Sequence, residues 1–138
     1  MHSINTRHVG KADIPKYIGK ALRFSESMYA AFSEGNWDAT GLLAVHAVIS
    51  ANDALTASRA NIRSAGPKHD HAVRLFLRYF TDGESEEVAK DLRWLIGKKS
   101  LVEYEARAFT VEEAQEAVER AGRFLEFARR RLPALHQK

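Results

Sequence analysis

The sequence predicts an all-α fold, an antiparallel up-and-down bundle of about five helices. Residues 39–52 form an uncharged run that is rich in small residues. This run is shorter than the roughly 20 residues needed to span a bilayer, which indicates a helix buried in the middle of a bundle. Apolar residues elsewhere recur at spacings of three and four, and no segment alternates over a strand's length, so we expect no strands.

Length and composition indicate one domain that comprises residues 1–138, with its core at about 14–132. Cysteine is absent, which excludes a disulfide framework, a thiolate nucleophile and the usual structural zinc ligands. The first eleven residues lack the apolar run of a signal peptide. We therefore expect a cytoplasmic protein that does not enter a membrane and needs no cofactor.

Capping residues and a glycine indicate where the first two helices begin and end. Asp13 is the predicted N-cap of the first, with Pro15 in its first turn, and this helix should end near Gly35. Asn36 should cap a second helix that continues to about Ser58. Its many small residues would let neighbouring backbones approach closely, as suits a central helix; they are Ala39, Gly41, Ala44, Ala47, Ala51 and Ala54.

Glycine and proline separate the middle of the chain into shorter helices. A loop with Gly66 and Pro67 follows Arg63, because proline cannot continue a helix. A third helix is expected from about Asp70 to Phe80 and a fourth from near Ser85 to Gly97.

The last helix has the clearest signals. Residues 98–109 are interpreted as a short helical segment and a connector. Thr110 and Glu113 then have the spacing of a capping box. An apolar stripe follows until Pro133, and it comprises Val111, Ala114, Val118, Ala121, Leu125, Ala128 and Leu132, widened by Phe124 and Phe127.

Three polar residues of the central helix share one face. His46, Ser50 and Asp53, which we call the polar strip, follow one another at spacings of four and three. Asp53 could orient the imidazole for general base catalysis. Alternatively, the polar strip is a buried hydrogen-bonded network that fixes the position of the helix.

Residues 68–71 place two histidines and an aspartate at the start of the third helix. His69 and His71 would point about 160° apart on a helix, so joint ligation of a metal is disfavoured and we expect no metal site. Asp70 is better explained as an N-cap.

Several segments together resemble the HEPN family (higher eukaryotes and prokaryotes nucleotide-binding). They are the small-residue helix that ends in residues 50–55, the Gly-Pro loop with Lys68 and His69, residues 98–104, and the helix that opens with residues 110–114. The resemblance implies a bundle that commonly dimerises. It also implies a place in toxin–antitoxin systems beside minimal nucleotidyltransferases and, in some members, RNase activity.

RNase members of this family carry an arginine four to six residues before a histidine. Arg63 and His69 fit that spacing, with His71 as a second candidate, and the arginines at 129–131 fit it with His136. The family motif lies on a late helix, whereas the segment from Arg63 to His69 crosses a Gly-Pro loop. Catalysis by Arg63, His69 or His71 is therefore the alternative hypothesis.

A second set of residues could bind phosphate or a nucleotide. The family often has a lysine or arginine before an acidic residue and a tyrosine, and this chain has Lys98 or Lys99 before Glu103 and Tyr104, with Lys68 as a further cation. In the competing structural interpretation, Tyr104 is a core aromatic and the lysines are helix-end cations.

The sequence thus favours a HEPN-like module that dimerises and binds a partner protein, such as a nucleotidyltransferase, or a nucleotide or RNA. Homodimerisation also follows from a surplus of aromatic residues, including Trp37, Trp94 and Phe109. The arginines near the C-terminal end are interpreted as a solvated helix end rather than a nucleic-acid surface, because glutamates share that helix.

Overall fold

The computed structural model describes residues 4–66 and 69–132, without the side chain of His69. Five helices of 11 to 24 residues and one of six residues confirm the predicted all-α bundle. The elements are β1 (Thr6–His8), α1 (Ile14–Ser33), α2 (Trp37–Ala60), β2 (Ile62–Ser64), α3 (His69–Tyr79), α4 (Gly83–Gly97), α5 (Lys99–Tyr104) and α6 (Val111–Arg131).

The expectation of no strands is wrong at one place. β1 and β2 pair as a two-stranded antiparallel ribbon, with Arg7 directly opposite Arg63. Asn61 has a left-handed backbone (φ 57°), which asparagine tolerates, and this residue turns the chain from α2 straight into β2. Three-residue strands are too short to produce a periodic pattern, so they could not be recognised from the sequence.

Helix α2 is the central element that the small residues predicted. It runs antiparallel to α1 after a tight turn at Gly35 (φ 76°) and also packs against α3, α4, α5 and α6. Most of its alanines and both of its valines are almost fully buried between these neighbours. The face that carries Leu42, His46, Ile49 and Asp53 is less covered.

Most predicted helix ends are confirmed. As predicted, Asn36 accepts a hydrogen bond from the Ala39 amide and Thr110 forms the full capping box. Asp82, which the sequence analysis did not identify as a cap, accepts a hydrogen bond from the Ser85 amide. Asp13 does not cap α1 through its side chain. A 3₁₀ turn leads into the helix, so Asp13 already has a helical backbone and its carboxylate pairs with Lys16 at 3.0 Å.

Asp70 is not an N-cap, because α3 already begins at His69 and places Asp70 inside its first turn. Pro133 and His136 lie outside the described residues.

The connector before α6 is fixed to the start of α2. The Phe109 amide donates to Asp38 Oδ1 at 2.7 Å. The Phe109 ring packs so closely on Gly41 that a Cβ added to this glycine would lie only 2.6 Å from a ring carbon. Phe109 is 3% exposed and therefore does not belong to a surface surplus of aromatic residues. Trp37 and Trp94 are partly exposed.

Ion pairs link α4 to α6. The buried Asp91 accepts from Arg123 at 2.9 Å and from Arg120 at 3.2 Å, while Arg131 donates to Asp82 at 2.9 Å. Arg130 pairs with Glu84 beside this last contact. These arginines therefore link α6 to α4 and the residue before it, and they are not merely the solvated helix end that the sequence suggested.

We expect Gly41→Ala to lower the free energy of unfolding by about 2–4 kcal/mol, since the added methyl group would overlap the Phe109 ring and Val102. Denaturant titration measures this change. Gly83→Ala is the matched control, because a Cβ there meets nothing within 4 Å and should change stability by less than about 1 kcal/mol. Equal effects of the two substitutions would show that the close approach at Gly41 is unimportant.

Candidate functional site

The polar strip does not form the expected mutual network. Ser50 is buried, whereas His46 and Asp53 are partly exposed, and no hydrogen bond joins these three side chains. The spacing placed them on one face correctly, but a carboxylate from α5 binds the imidazole instead. His46 and Asp53 therefore belong to two separate polar clusters.

The first cluster connects three helices. His46 Nε2 lies 3.2 Å from Glu103 Oε2, and Lys99 Nζ donates to Glu103 Oε1 at 3.0 Å. The hydrogen bond from Lys99 is the main cause that lowers the pKa of Glu103, with a smaller contribution from His46. The Phe24 ring of α1 lies 5.6 Å from the imidazole, centroid to centroid. Glu103 thereby orients the imidazole, as a general base or a ligand-binding histidine requires.

The second cluster surrounds Asp53. Burial raises the pKa of Asp53 to about 7, and the positive charges of Arg63 and Lys20 oppose this only in part. No hydrogen bond to the Asp53 carboxyl occurs within residues 4–66 and 69–132. Asp53 is thus partly protonated near neutral pH and can exchange a proton where most aspartates cannot.

The proposed catalytic residues lie around the ribbon. Arg63 is on β2, where its guanidinium donates to the Ser64 carbonyl at 3.2 Å. His71 lies in the first turn of α3, packed on Gly66, and its buried Nδ1 has no hydrogen-bond partner within the described residues. No hydrogen bond joins Arg63 to His71 in the described structure. The side chain of His69 lies outside the described part of the chain.

The proposed phosphate-binding residues are engaged in different ways. Lys98 donates to Glu113 at 3.3 Å and lies over the Trp94 ring, and Lys99 is bound to Glu103. Tyr104 is 79% exposed, so its interpretation as a core aromatic is wrong. Lys68 lies outside the described residues. Lys98 and Lys99 are therefore paired with carboxylates, whereas the Tyr104 ring is accessible.

Sequence reasoning overlooked Arg7 and Lys20. Their signal was weak, because Arg7 meets Arg63 only through the pairing of the ribbon, and Lys20, which acts on Asp53, resembles any solvated lysine on the polar face of α1. Glu103 was recognised only as part of an acidic-tyrosine pair, and its partnership with His46 depends on how α5 packs on α2.

The described residues contain no candidate metal-ligand cluster and no candidate membrane-spanning helix. No three His, Cys, Asp or Glu side chains there are grouped so that they could hold a metal ion. Across the same residues, none of the helices has the length and apolar character required to cross a membrane.

Fold and site together define a small all-α bundle around a central helix, with two acid–base clusters on the exposed face of that helix. A family model for the HEPN domain matches residues 14–131. The chain belongs to the HEPN family, a class of helical modules of the nucleotide-binding or RNase type. No match was found among curated proteins or among solved structures.

We expect Asp53 to make stability depend on pH. Its pKa is raised in the folded state, so the contribution is complete below about pH 4 and is lost as the pH rises towards 7, by about 2–4 kcal/mol. Asp53→Asn should therefore be more stable than the wild type at pH 8 and similar to it near pH 4. Denaturant titrations from pH 4 to 8 measure both.

Glu26→Gln removes an exposed carboxylate from α1 and is the control, which should retain the wild-type pH profile. Parallel profiles for wild type and Asp53→Asn would mean that Asp53 titrates as an ordinary aspartate.

Proposed function

We propose that this protein is a non-catalytic HEPN module that pairs with a second copy of itself and binds a partner protein or a nucleotide. One observation carries the proposal of self-association, namely an apolar groove of about 250 Å³ between α1, α2 and α6. Such a groove on a small bundle exposes surface that association would remove from water.

The groove is built by small residues flanked by larger ones. Its lining includes Ala21 and Leu22 of α1, Ala51 and Ala54 of α2, Leu125 of α6 and Leu132 directly after α6. Leu22 and Tyr29 border it and are 38% and 47% exposed. These two residues are seven apart on α1, so they form a ridge along one side of the hollow.

A second copy fits this groove because the surface complements itself. Ridge and hollow lie side by side, as a two-fold interface requires, since each copy then inserts its ridge into the other's hollow. The rim also carries Glu126 and Arg129, two opposite charges one turn apart. A two-fold axis can bring the acidic residue of one copy near the basic residue of the other.

Membership of the HEPN family is the basis on which we propose a partner protein. HEPN modules of this kind occur beside minimal nucleotidyltransferases in toxin–antitoxin systems, and we propose such an enzyme as the partner protein, in the cytoplasm. The absence of cysteine is compatible with that compartment. A neighbouring gene for a small nucleotidyltransferase, whose product co-purifies with this chain when the two are co-expressed, would be the supporting result.

RNA cleavage without a metal is the second candidate. The buried and unpartnered Nδ1 of His71, in the same part of the fold as Arg63, favours it. Against it, the Arg63 guanidinium is bound to a carbonyl and exerts its charge on Asp53. A base and a phosphate-binding cation would have to approach each other for this chemistry.

We expect the protein to have about twice the 15.5 kDa chain mass in light scattering at tens of micromolar. Leu22→Glu should give the monomer mass, because a buried charge at the centre of the interface is costly. Tyr104→Glu introduces the same charge at a more exposed residue (79% against 38% for Leu22) away from the groove and should leave the dimer intact. A monomeric wild type, or equal effects of both substitutions, would refute this interface.

We also expect no cleavage of single-stranded RNA by purified protein in the presence of a chelator. Gel analysis of a labelled RNA tests this, with Arg63→Ala and His71→Ala as variants and circular dichroism to verify folding. Cleavage that is lost in these folded variants but retained in His46→Ala would establish the RNase function instead.

A further inference from the structure

Two large side chains protrude from one edge of α1 beside the apolar groove. Four large hydrophobic residues are exposed in the part of the chain that the structure describes, and two of them, Leu22 and Tyr29, line this groove. They are seven residues apart, which is two turns or about 10 Å along the helix. Ser25 lies between them and lines the groove as well. The edge therefore presents two large side chains with a small one between them.

Tyr29 is held in place by α6. Its hydroxyl oxygen lies 3.4 Å from the position that a Cβ on Gly122 would take, so the tyrosine reaches from α1 to the backbone of α6. Tyr29 and Gly122 also line a wider hollow of about 570 Å³ beside α4, and the tyrosine thus stands between the two hollows. A side chain that is already seated loses little conformational freedom when it becomes part of an interface.

The charges that line the groove permit contact between two identical surfaces. They are Glu126 and Arg129, which form an ion pair with each other. The lining is therefore neutral, although the whole chain carries a net charge of +3. Two copies can meet at this face without bringing an excess of like charges together.

We propose that two copies of this chain meet along α1, with the two α1 helices antiparallel and the two-fold axis passing beside Ser25. Leu22 and Tyr29 are equally distant from the point between residues 25 and 26. A two-fold axis at this point places Leu22 of each copy against Tyr29 of the other copy, at the mouth of the other copy's groove. Each copy thus completes the apolar surface of its partner with its own two residues.

An antiparallel pair of helices suits this edge better than a parallel pair. The dipoles of antiparallel neighbours attract each other, whereas those of parallel neighbours repel. A parallel pair would also place leucine against leucine at one end and tyrosine against tyrosine at the other, so the helices would be unevenly spaced. In the antiparallel pair, the same unlike contact occurs at both ends, and Ser25 at the axis lets the helices approach to about 8 Å.

This inference rests on the proposed self-association and adds the position of its axis. The absence of cysteine allows a direct test, because a single engineered cysteine is then the only thiol in the chain. Facing residues of two helices about 8 Å apart have Cα atoms about 4–6 Å apart, which is within the range of a disulfide bond.

We expect about half or more of the Ser25→Cys variant to form a disulfide-linked dimer under mild oxidation, measured on a non-reducing gel. Ser27→Cys is the matched control, since this exposed residue of α1 points about 200° away from residue 25. It should crosslink at least about tenfold more slowly. Equal rates for the two variants would place the axis elsewhere and overturn the inference.

Mixed variants determine the direction of the helices. When Leu22→Cys and an affinity-tagged Tyr29→Cys protein are mixed, the mixed disulfide should form at least about fivefold faster than either symmetric disulfide, because only unlike positions face each other. Faster formation of the symmetric disulfides would show that the helices are parallel, contrary to the proposal.

A bulky charge at position 25 provides a test without oxidation. Ser25→Arg should give the monomer mass in light scattering at tens of micromolar, whereas Ser27→Arg should retain the dimer, with circular dichroism to verify that both variants fold. If the wild type and Ser25→Arg are both dimeric, the axis is wrong and the proposed self-association stands. A monomeric wild type would refute both proposals.

Discussion

Close packing around α2 is the constraint on which the rest of the structure depends. Five other helices contact this one helix, and they can do so because small side chains let backbones approach. At Gly41, the Phe109 ring fills the space that a side chain would otherwise occupy. Because Asp38 also binds the Phe109 amide, the first turn of α2 fixes the connector from which α6 begins. The position of α6 is thereby coupled to that of the central helix.

The same packing decides where chemistry can occur. Neighbours cover α2 on most sides, and the face that remains accessible carries His46 and Asp53. These two residues have opposite environments. Glu103 provides His46 with a carboxylate partner, whereas the partly buried Asp53 has no hydrogen bond to its carboxyl among the described residues. One helix therefore presents an oriented imidazole and an aspartate whose pKa burial raises to about 7, although the sequence placed both residues in a single polar strip.

Helices and their caps could be predicted from the sequence because their signals are local. Asn36 and the Thr110 capping box need only their own few residues, and the apolar stripe of α6 needs only its period. The ribbon and the partner of His46 depend on residues distant in the chain, since Arg7 meets Arg63 and His46 meets Glu103. Such pairs exist only after the bundle has formed. The position of His46 could thus be predicted, whereas its role could not.

The turn at Gly35 gives the first half of the chain an unusual symmetry. The Phe24 and His46 rings lie eleven residues on either side of it, and the ribbon partners Thr6 and Ser64 lie twenty-nine residues on either side. Residues 6–64 therefore form one continuous hairpin that can assemble outward from Gly35. Each added contact closes only a small loop, so the entropy cost of joining distant residues is spread over many steps. The ribbon stands at the open end of this hairpin, where assembly finishes and where fraying begins.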